Sequence, residues 1–192
     1  MFVPFGDYYC VRPLPIAWEQ LNGSWDLEQE RVDGISSRDC GIAAAVTKRS
    51  RQCLQVAVEC IAWYFRREFD YDFVQYCAAE KDDVTRPVTY LWADEGTLHN
   101  GKITTFGACC FRWREFRDHD PGYALDFAWL HPYQRMHGVL SRAWPYFRAR
   151  FGQDFYVQPP LSIAMVRFLA KQEHLPFGIP LDRFPCHEEH HR

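Results

Sequence analysis

The residues with the clearest chemical potential lie together in Leu130-His131-Pro132-Tyr133-Gln134-Arg135-Met136-His137-Gly138-Val139-Leu140. This stretch follows a run with strand alternation and opens one with helical spacing. It therefore exposes the unpaired amides of a helix N-terminus, which together with the helix dipole favour an anion such as phosphate. Arg135 adds positive charge, and Gly138 lacks the side chain that would hold a ligand away from the backbone. An ordinary helix entry needs neither feature.

Groups able to move protons flank this turn. Asp126 lies on the preceding strand, on the face expected to carry the small side chains of Ala124 and Ala128, which would leave space beside it. Partial burial there would raise its pKa toward a useful range, so Asp126 is the first candidate for a general base, although a strand aspartate can equally pair with a neighbouring arginine. His131 and His137 flank the turn and would titrate near neutrality, with His131 the reserve base. Glu95 is a further carboxylate with little to distinguish it. At the far end, Cys186-His187-Glu188-Glu189-His190-His191 gathers ligand-type side chains, but no cysteine pair has C-x2-C spacing and no partner is nominated elsewhere. A frayed polar terminus is expected there, and no metal site.

The elements that must position these groups follow from periodicity. Leu54, Val58, Ile61 and Phe65 recur at helical spacing after Ser50, a candidate N-cap, and predict a helix to about Phe69. Val88, Tyr90 and Trp92 alternate with Thr89, Leu91 and Ala93, a second β-rich run spans Lys102 to Trp113, and Asn100-Gly101 between them signals a hairpin. In the third run, Tyr123 to Leu130, strict alternation places Tyr123, Leu125, Phe127 and Trp129 on one face. Leu140, Ala143, Trp144, Phe147 and Phe151 predict the helix after the turn, with Pro145 inside it and Gly152 stopping it. A short strand at Phe155 to Val157, a break at Pro159-Pro160 and a last helix ending near Glu173 complete the pattern. The fold class is α/β (α+β): a mixed, mostly antiparallel sheet flanked by helices. Residues 1–192 form a single domain, with an irregular extension over 1–49, one candidate strand within it at Ile42 to Val46, a core of about 50–173, and an irregular tail over 174–192.

The turn and its setting resemble the GNAT superfamily of N-acetyltransferases. Its phosphate-binding turn reads Gln/Arg-x-x-Gly-x-Gly/Ala and is matched here by Arg135-x-x-Gly138-x-Leu140, with Leu140 replacing a small residue. A weaker similarity, from Trp129-Leu130 through Ser141-Arg142 and the Pro-rich step into the last helix, points to the cohesin-acetyltransferase branch. The zinc finger of that branch has no counterpart in residues 1–50, so no cohesin substrate is carried over. The resemblance implies an acyl-CoA-dependent N-acyltransferase, with acetyl-CoA as co-substrate and a primary amine, on a small molecule or a protein lysine, as acceptor attacking directly. It implies that backbone at Ala128, Trp129 and Leu130 binds the acyl carbonyl and pantetheine arm. Amides of Met136, His137, Gly138, Val139 and Leu140 would hold the pyrophosphate, with a hydroxyl from Ser141. Ser162 and Tyr156 lie where the family places a hydroxyl donor for the departing thiolate, Ser162 being also a natural N-cap.

Bulk properties narrow the alternatives. With 192 residues, 47% hydrophobic and 17% aromatic, the chain is long and apolar enough for one sizeable core. A formal charge of -3 provides no general field for a polyanion. Arg142, Arg148, Arg150 and Arg167 interleave with Trp144, Tyr146 and Phe147 and could suggest a nucleic-acid face, but helical spacing makes Trp144 and Phe147 core positions. No apolar run approaches the roughly 18 residues of a membrane span, and the first residues lack a basic and an apolar leader segment. A cytoplasmic location and eight reduced, mostly buried cysteines are expected. A catalytically silent acyl-CoA-binding or interaction protein of the same fold is the alternative to an enzyme.

Overall fold

The spacing of Leu54, Val58, Ile61 and Phe65 is realised in an 18-residue helix, α1 (Gln52–Phe69), with all four side chains buried. It is one element of a computed structural model that describes residues 15–17, 31–80, 84–99, 102–117 and 120–173. Ser50 is not its N-cap. Arg51 holds that position without a side-chain bond, while the Ser50 hydroxyl accepts from the Thr47 amide at 2.9 Å. The Gln55 amide donates to the carbonyls of Lys48 and Ser50 and fixes the entering chain instead.

The strands are β1 (Pro15–Ala17), β2 (Arg31–Val32), β3 (Ile35–Ser36), β4 (Ala44–Val46), β5 (Val88–His99), β6 (Lys102–Arg114), β7 (Gly122–Leu130) and β8 (Tyr156–Val157). Among the described residues they form a six-stranded sheet in the order β4-β5-β6-β7-β8, with β1 also on β6, and a separate β2-β3 pair. Only β7 and β8 run parallel. The 1–49 segment thus contributes strands to the main sheet, the candidate at Ile42 to Val46 starting two residues later than expected. Asn100-Gly101, the Cys/His tail, Cys10 and Cys186 lie outside the described residues. The two remaining helices are α2 (Val139–Phe151), which runs through Pro145 and ends at Gly152 with φ 104°, and α3 (Ile163–Lys171). The architecture is mixed α/β, a mostly antiparallel sheet flanked by helices.

Each face of the sheet carries its own core. On one, α1 packs against Ala108, Cys110, Phe127 and Trp129. On the other, α2 and α3 cover Tyr90, Trp92, Cys109, Phe111 and Leu125, and Trp144, Tyr146 and Phe147 are each 0% exposed. These three aromatics therefore present no stacking surface to a nucleic acid. None of the described helices is long and apolar enough to cross a membrane. The six described cysteines are unpaired thiols, three buried and three half-buried.

The alternation expected for β7 breaks in its middle. Cys110 pairs with Phe127 but Phe111 with Leu125, so Asp126 is the extra residue of a β-bulge. Tyr123 and Leu125 consequently pack on the α2 side, whereas Phe127 and Trp129 pack on the α1 side. Ala128 lies on the α2 side and does not share the face of Asp126 as strict alternation requires.

Candidate functional site: two clefts and a turn at the end of β7

β7 and β8 are paired only at Ala124 with Tyr156 and Leu125 with Val157, and the Gln158 amide closes the ladder on the Leu125 carbonyl at 2.9 Å. Pro159-Pro160 then leads the chain away, and β7 continues to Leu130 with no strand on that edge among the described residues. At its end the His131 amide donates to the Phe106 carbonyl of β6 at 2.7 Å. Alternation then turns the Leu130 and Ala128 backbone groups toward the open edge. There the Leu130 carbonyl is taken by Arg135 Nε at 2.8 Å. Gly107 makes the facing β6 approach possible: a Cβ on it would meet Leu130 Cδ2 at 2.4 Å and the Trp129 carbonyl oxygen at 2.9 Å.

The first cleft lies where β7 and β8 part. Asp126, Phe127, Ala128, Val157, Gln158, Ser162 and Met165 line it, with Phe65, Phe69 and Tyr71 from α1 and beyond, around about 440 Å³ of unfilled space including its opening. Asp126 is held from both sides: Oδ2 is 2.9 Å from Arg112 Nε and Oδ1 is 2.6 Å from Arg114 Nη2, with its side chain 6% exposed. Oδ1 thus accepts a hydrogen bond from Arg114, while Oδ2 is ion-paired with Arg112. The Ser162 hydroxyl caps α3 by accepting from the Met165 amide at 3.2 Å, which leaves its own proton for donation. Tyr156 is not among the residues lining this cleft. Its ring packs on Phe116, and burial raises its pKa. The Tyr71 hydroxyl donates to the Pro160 carbonyl at 2.8 Å, and burial followed by the nearby Asp126 charge raises its pKa to about 12.

The second cleft opens on the α1 side of the sheet, over the last residues of β7. Ile61, Tyr64, Asp94, Thr104, Thr105, Phe106, Trp129, His131, Tyr133 and Gln134 enclose about 670 Å³ including its opening. A bulge at Phe106 contributes to its shape, since Trp92 pairs with Gly107 but Ala93 with Thr105. His131 sits here and not beside Asp126. Its ring stacks on Tyr133 and meets Trp129 edge-on. Burial and then the Arg135 charge lower its pKa, which favours neutral imidazole at neutral pH.

Between strand and helix, a 3-10 turn (Pro132–Gln134) leads to Met136 and Gly138, both at positive φ (65° and 73°). Gly138 is the N-cap of α2 and makes no side-chain cap. Among the described residues, no backbone amide from Met136 to Ser141 donates a hydrogen bond within the chain. A Cβ at Gly138 would touch only Arg142 Nη1, at 3.5 Å, so the space above the turn is open. Arg142 itself donates to the His137 carbonyl at 2.9 Å. Met136 is 99% exposed, His137 is exposed, and Val139 is buried beneath the turn.

Arg135 has other work. Its Nη1 and Nη2 bond the two carboxylate oxygens of Glu68 at 2.6 Å each, Trp129 Nε1 donates to the same carboxylate at 2.7 Å, and the guanidinium lies 5.8 Å from the Trp129 ring centroid. This bidentate strut fastens the turn to the last helical turn of α1. Glu68 carries no sequence signal for that role, because its partner lies 67 residues away. The clamp on Asp126 had one: Arg112 and Arg114 are two residues apart on the neighbouring strand and so share a face. Compared with known proteins, the chain matches no protein-family model and no curated protein.

Proposed function

We propose that this chain is an acyl-CoA-dependent N-acyltransferase, using acetyl-CoA or a close analogue and a primary amine. The observation that carries the reading is that, among the described residues, the amides from Met136 to Ser141 around a side-chain-free Gly138 donate to no partner and the preceding strand has no neighbour on its edge at Ala128. Such amides at a helix N-terminus suit a pyrophosphate, and an open strand edge suits the amide groups of a pantetheine arm.

The residues fit that co-substrate in three places. Amides of Met136 through Ser141 hold phosphate oxygens. Ala128 offers its backbone N–H and C=O to the extended arm, as an added strand would. The cleft at Asp126 and Ser162 accommodates the acyl thioester, which is the electrophile the co-substrate supplies. The amine lone pair forms the C–N bond at the thioester carbonyl carbon, the C–S bond breaks, and the electron pair leaves on sulfur. The attacking nitrogen loses its proton to a base, and the sulfur gains one from the Ser162 hydroxyl, which recovers it from water. Asp126, ion-paired with Arg112 and Arg114, serves in this scheme to fix the bulge that opens the strand edge.

Calorimetry and thermal shift with acetyl-, propionyl- and longer acyl-CoAs test the proposal. A ligand at 100 times its Kd stabilises the fold by about 2.7 kcal/mol, so no heat and no shift at millimolar ligand would remove it. Acceptor-dependent release of free thiol then separates an enzyme from a silent binder.

A further inference from the structure

Tyr71 reaches across the first cleft from a fixed base. It follows Asp70, whose left-handed backbone (φ 54°) ends α1, and its amide donates to the Arg66 carbonyl at 3.1 Å. The Arg66 side chain returns to the same place, Nε donating to the Tyr71 carbonyl at 3.0 Å, and the Tyr71 ring stacks on Phe65 with centroids 5.0 Å apart. Backbone and ring are thus held independently of the hydroxyl. That hydroxyl donates to the Pro160 carbonyl at 2.8 Å, a bond between residues 89 apart.

The bond falls where the sheet parts. The β7-β8 ladder closes with the Gln158 amide on the Leu125 carbonyl, and the next two residues, Pro159 and Pro160, have no amide hydrogen. Carbonyls alone can anchor the backbone of those two residues, and Tyr71 holds one of them. Ser162 lies two residues further on, and Tyr71, Pro160 and Ser162 all line the same cleft. Tyr71 packs with the core on the α1 side of the sheet, whereas Leu161, between Pro160 and Ser162, packs with the core on the other. The bond therefore joins opposite walls across the gap that β7 and β8 leave open. Its proton stays in place: burial, followed by the Asp126 charge, raises the Tyr71 pKa to about 12. The Ser162 hydroxyl accepts from the Met165 amide and keeps its own proton for donation.

We propose that Tyr71 is a positioning residue of the acyl-transfer site: by holding the Pro160 carbonyl it sets the width of the cleft and keeps the Ser162 hydroxyl within reach of the thioester sulfur. The inference rests on the acyl-transfer reading of that cleft. Sulfur leaves with the C–S electron pair and takes the Ser162 proton, and Tyr71 exchanges none. Its contribution is orientation, and misplacing a reacting group by about 1 Å can cost about 10²-fold in rate.

The test reads free thiol released from acetyl-CoA by the full chain with butylamine, spermidine and Nα-acetyl-lysinamide, using whichever amine reacts fastest. Tyr71→Phe keeps the ring on Phe65 and should lower Tm by only about 2–4 °C, while kcat falls by about ten- to hundredfold and the acetyl-CoA Kd stays within about twofold. Ser162→Gly retains most of the helix cap and removes the proton donor, and in that background Tyr71→Phe should cost less than about threefold. An equal loss in both backgrounds, a wild-type kcat in either single variant, or a fall in acetyl-CoA affinity matching the fall in turnover overturns the positioning role and leaves the acyl-transfer reading standing. Wild-type protein that binds no acetyl-CoA, or releases no thiol with any of the three amines, overturns that reading and the positioning role with it.

Discussion

Replacing Gly138 by aspartate and by asparagine separates charge from shape at the centre of the proposed anion site. The residue sits at φ 73°, and an added Cβ meets only Arg142 Nη1 at 3.5 Å, so neither side chain clashes with the backbone. The left-handed conformation costs roughly 1–2 kcal/mol for an ordinary residue and less for Asn or Asp. For a chain of this length 1 kcal/mol lowers Tm by about 2–4 °C, and both variants should therefore fold with small, similar losses. They differ in one unit of charge placed within a few ångströms of the bound phosphates. At about 5 Å, Coulomb's law gives roughly 1 kcal/mol in bulk water and about 3 kcal/mol at an effective dielectric of 20, hence a five- to hundredfold difference in Kd between the two. The aspartate carboxylate can also occupy the free amides itself, adding to the loss. Calorimetry with acetyl-CoA, with acetyl-pantetheine as a phosphate-free control, reads the effect: the variants should differ for the first and agree for the second. Equal acetyl-CoA affinities in Gly138→Asp and Gly138→Asn would refute a phosphate at this turn.

Three more outcomes follow from the same geometry. Asp126→Asn strips a buried carboxylate from Arg112 and Arg114 and should destabilise the fold by about 3–5 kcal/mol in chemical denaturation, while turnover per folded molecule stays near wild type; a loss of 10²-fold or more in the folded fraction would instead make Asp126 the base. The His131 imidazole, followed by NMR, should titrate below its ordinary value of about 6.5, because burial first and the Arg135 charge second favour the neutral form; Arg135→Met should move that titration upward. Glu68→Gln removes the charge from a bidentate pair and should weaken acetyl-CoA binding by about three- to thirtyfold through the turn, measured beside Tm to separate the two effects.

Sequence periodicity located the three α-helices of the described residues and the long strands because each buries a regular stripe. α1, with Leu54, Val58, Ile61 and Phe65 inside, and α2, with Trp144 and Phe147 inside, needed no tertiary information. The helix start at Ser50 went to Arg51 because the Ser50 hydroxyl bonds back to Thr47, a local competition that residue type alone does not resolve. β7 misled for a different reason. A bulge adds one residue without changing composition, so Asp126 looked like one more outward position when it is the point at which the strand changes face. The turn was legible as a helix entry with unpaired amides because a glycine and a helix start are local properties. The clefts were not, since Thr105, Asp94, Tyr64 and His131 meet only once a hairpin and a helix have packed. The role of Arg135 was likewise hidden by its partner in a distant helix.

The Glu68–Arg135 strut has a consequence for the order in which the molecule forms. It joins residues 67 apart, and closing a loop of that size costs roughly 4 kcal/mol in chain entropy, about what two charge-assisted hydrogen bonds return. The strut therefore cannot recruit α1 to the turn. The sheet must first bring the two ends together, after which the ion pair locks without paying that entropy again. The amides from Met136 to Ser141 consequently acquire their fixed spacing late in folding, and the turn is among the first places to loosen when the native state opens locally. Whatever binds there selects molecules in which the strut is closed and, by the reciprocity of linkage, holds the end of α1 in place from the opposite side of the sheet.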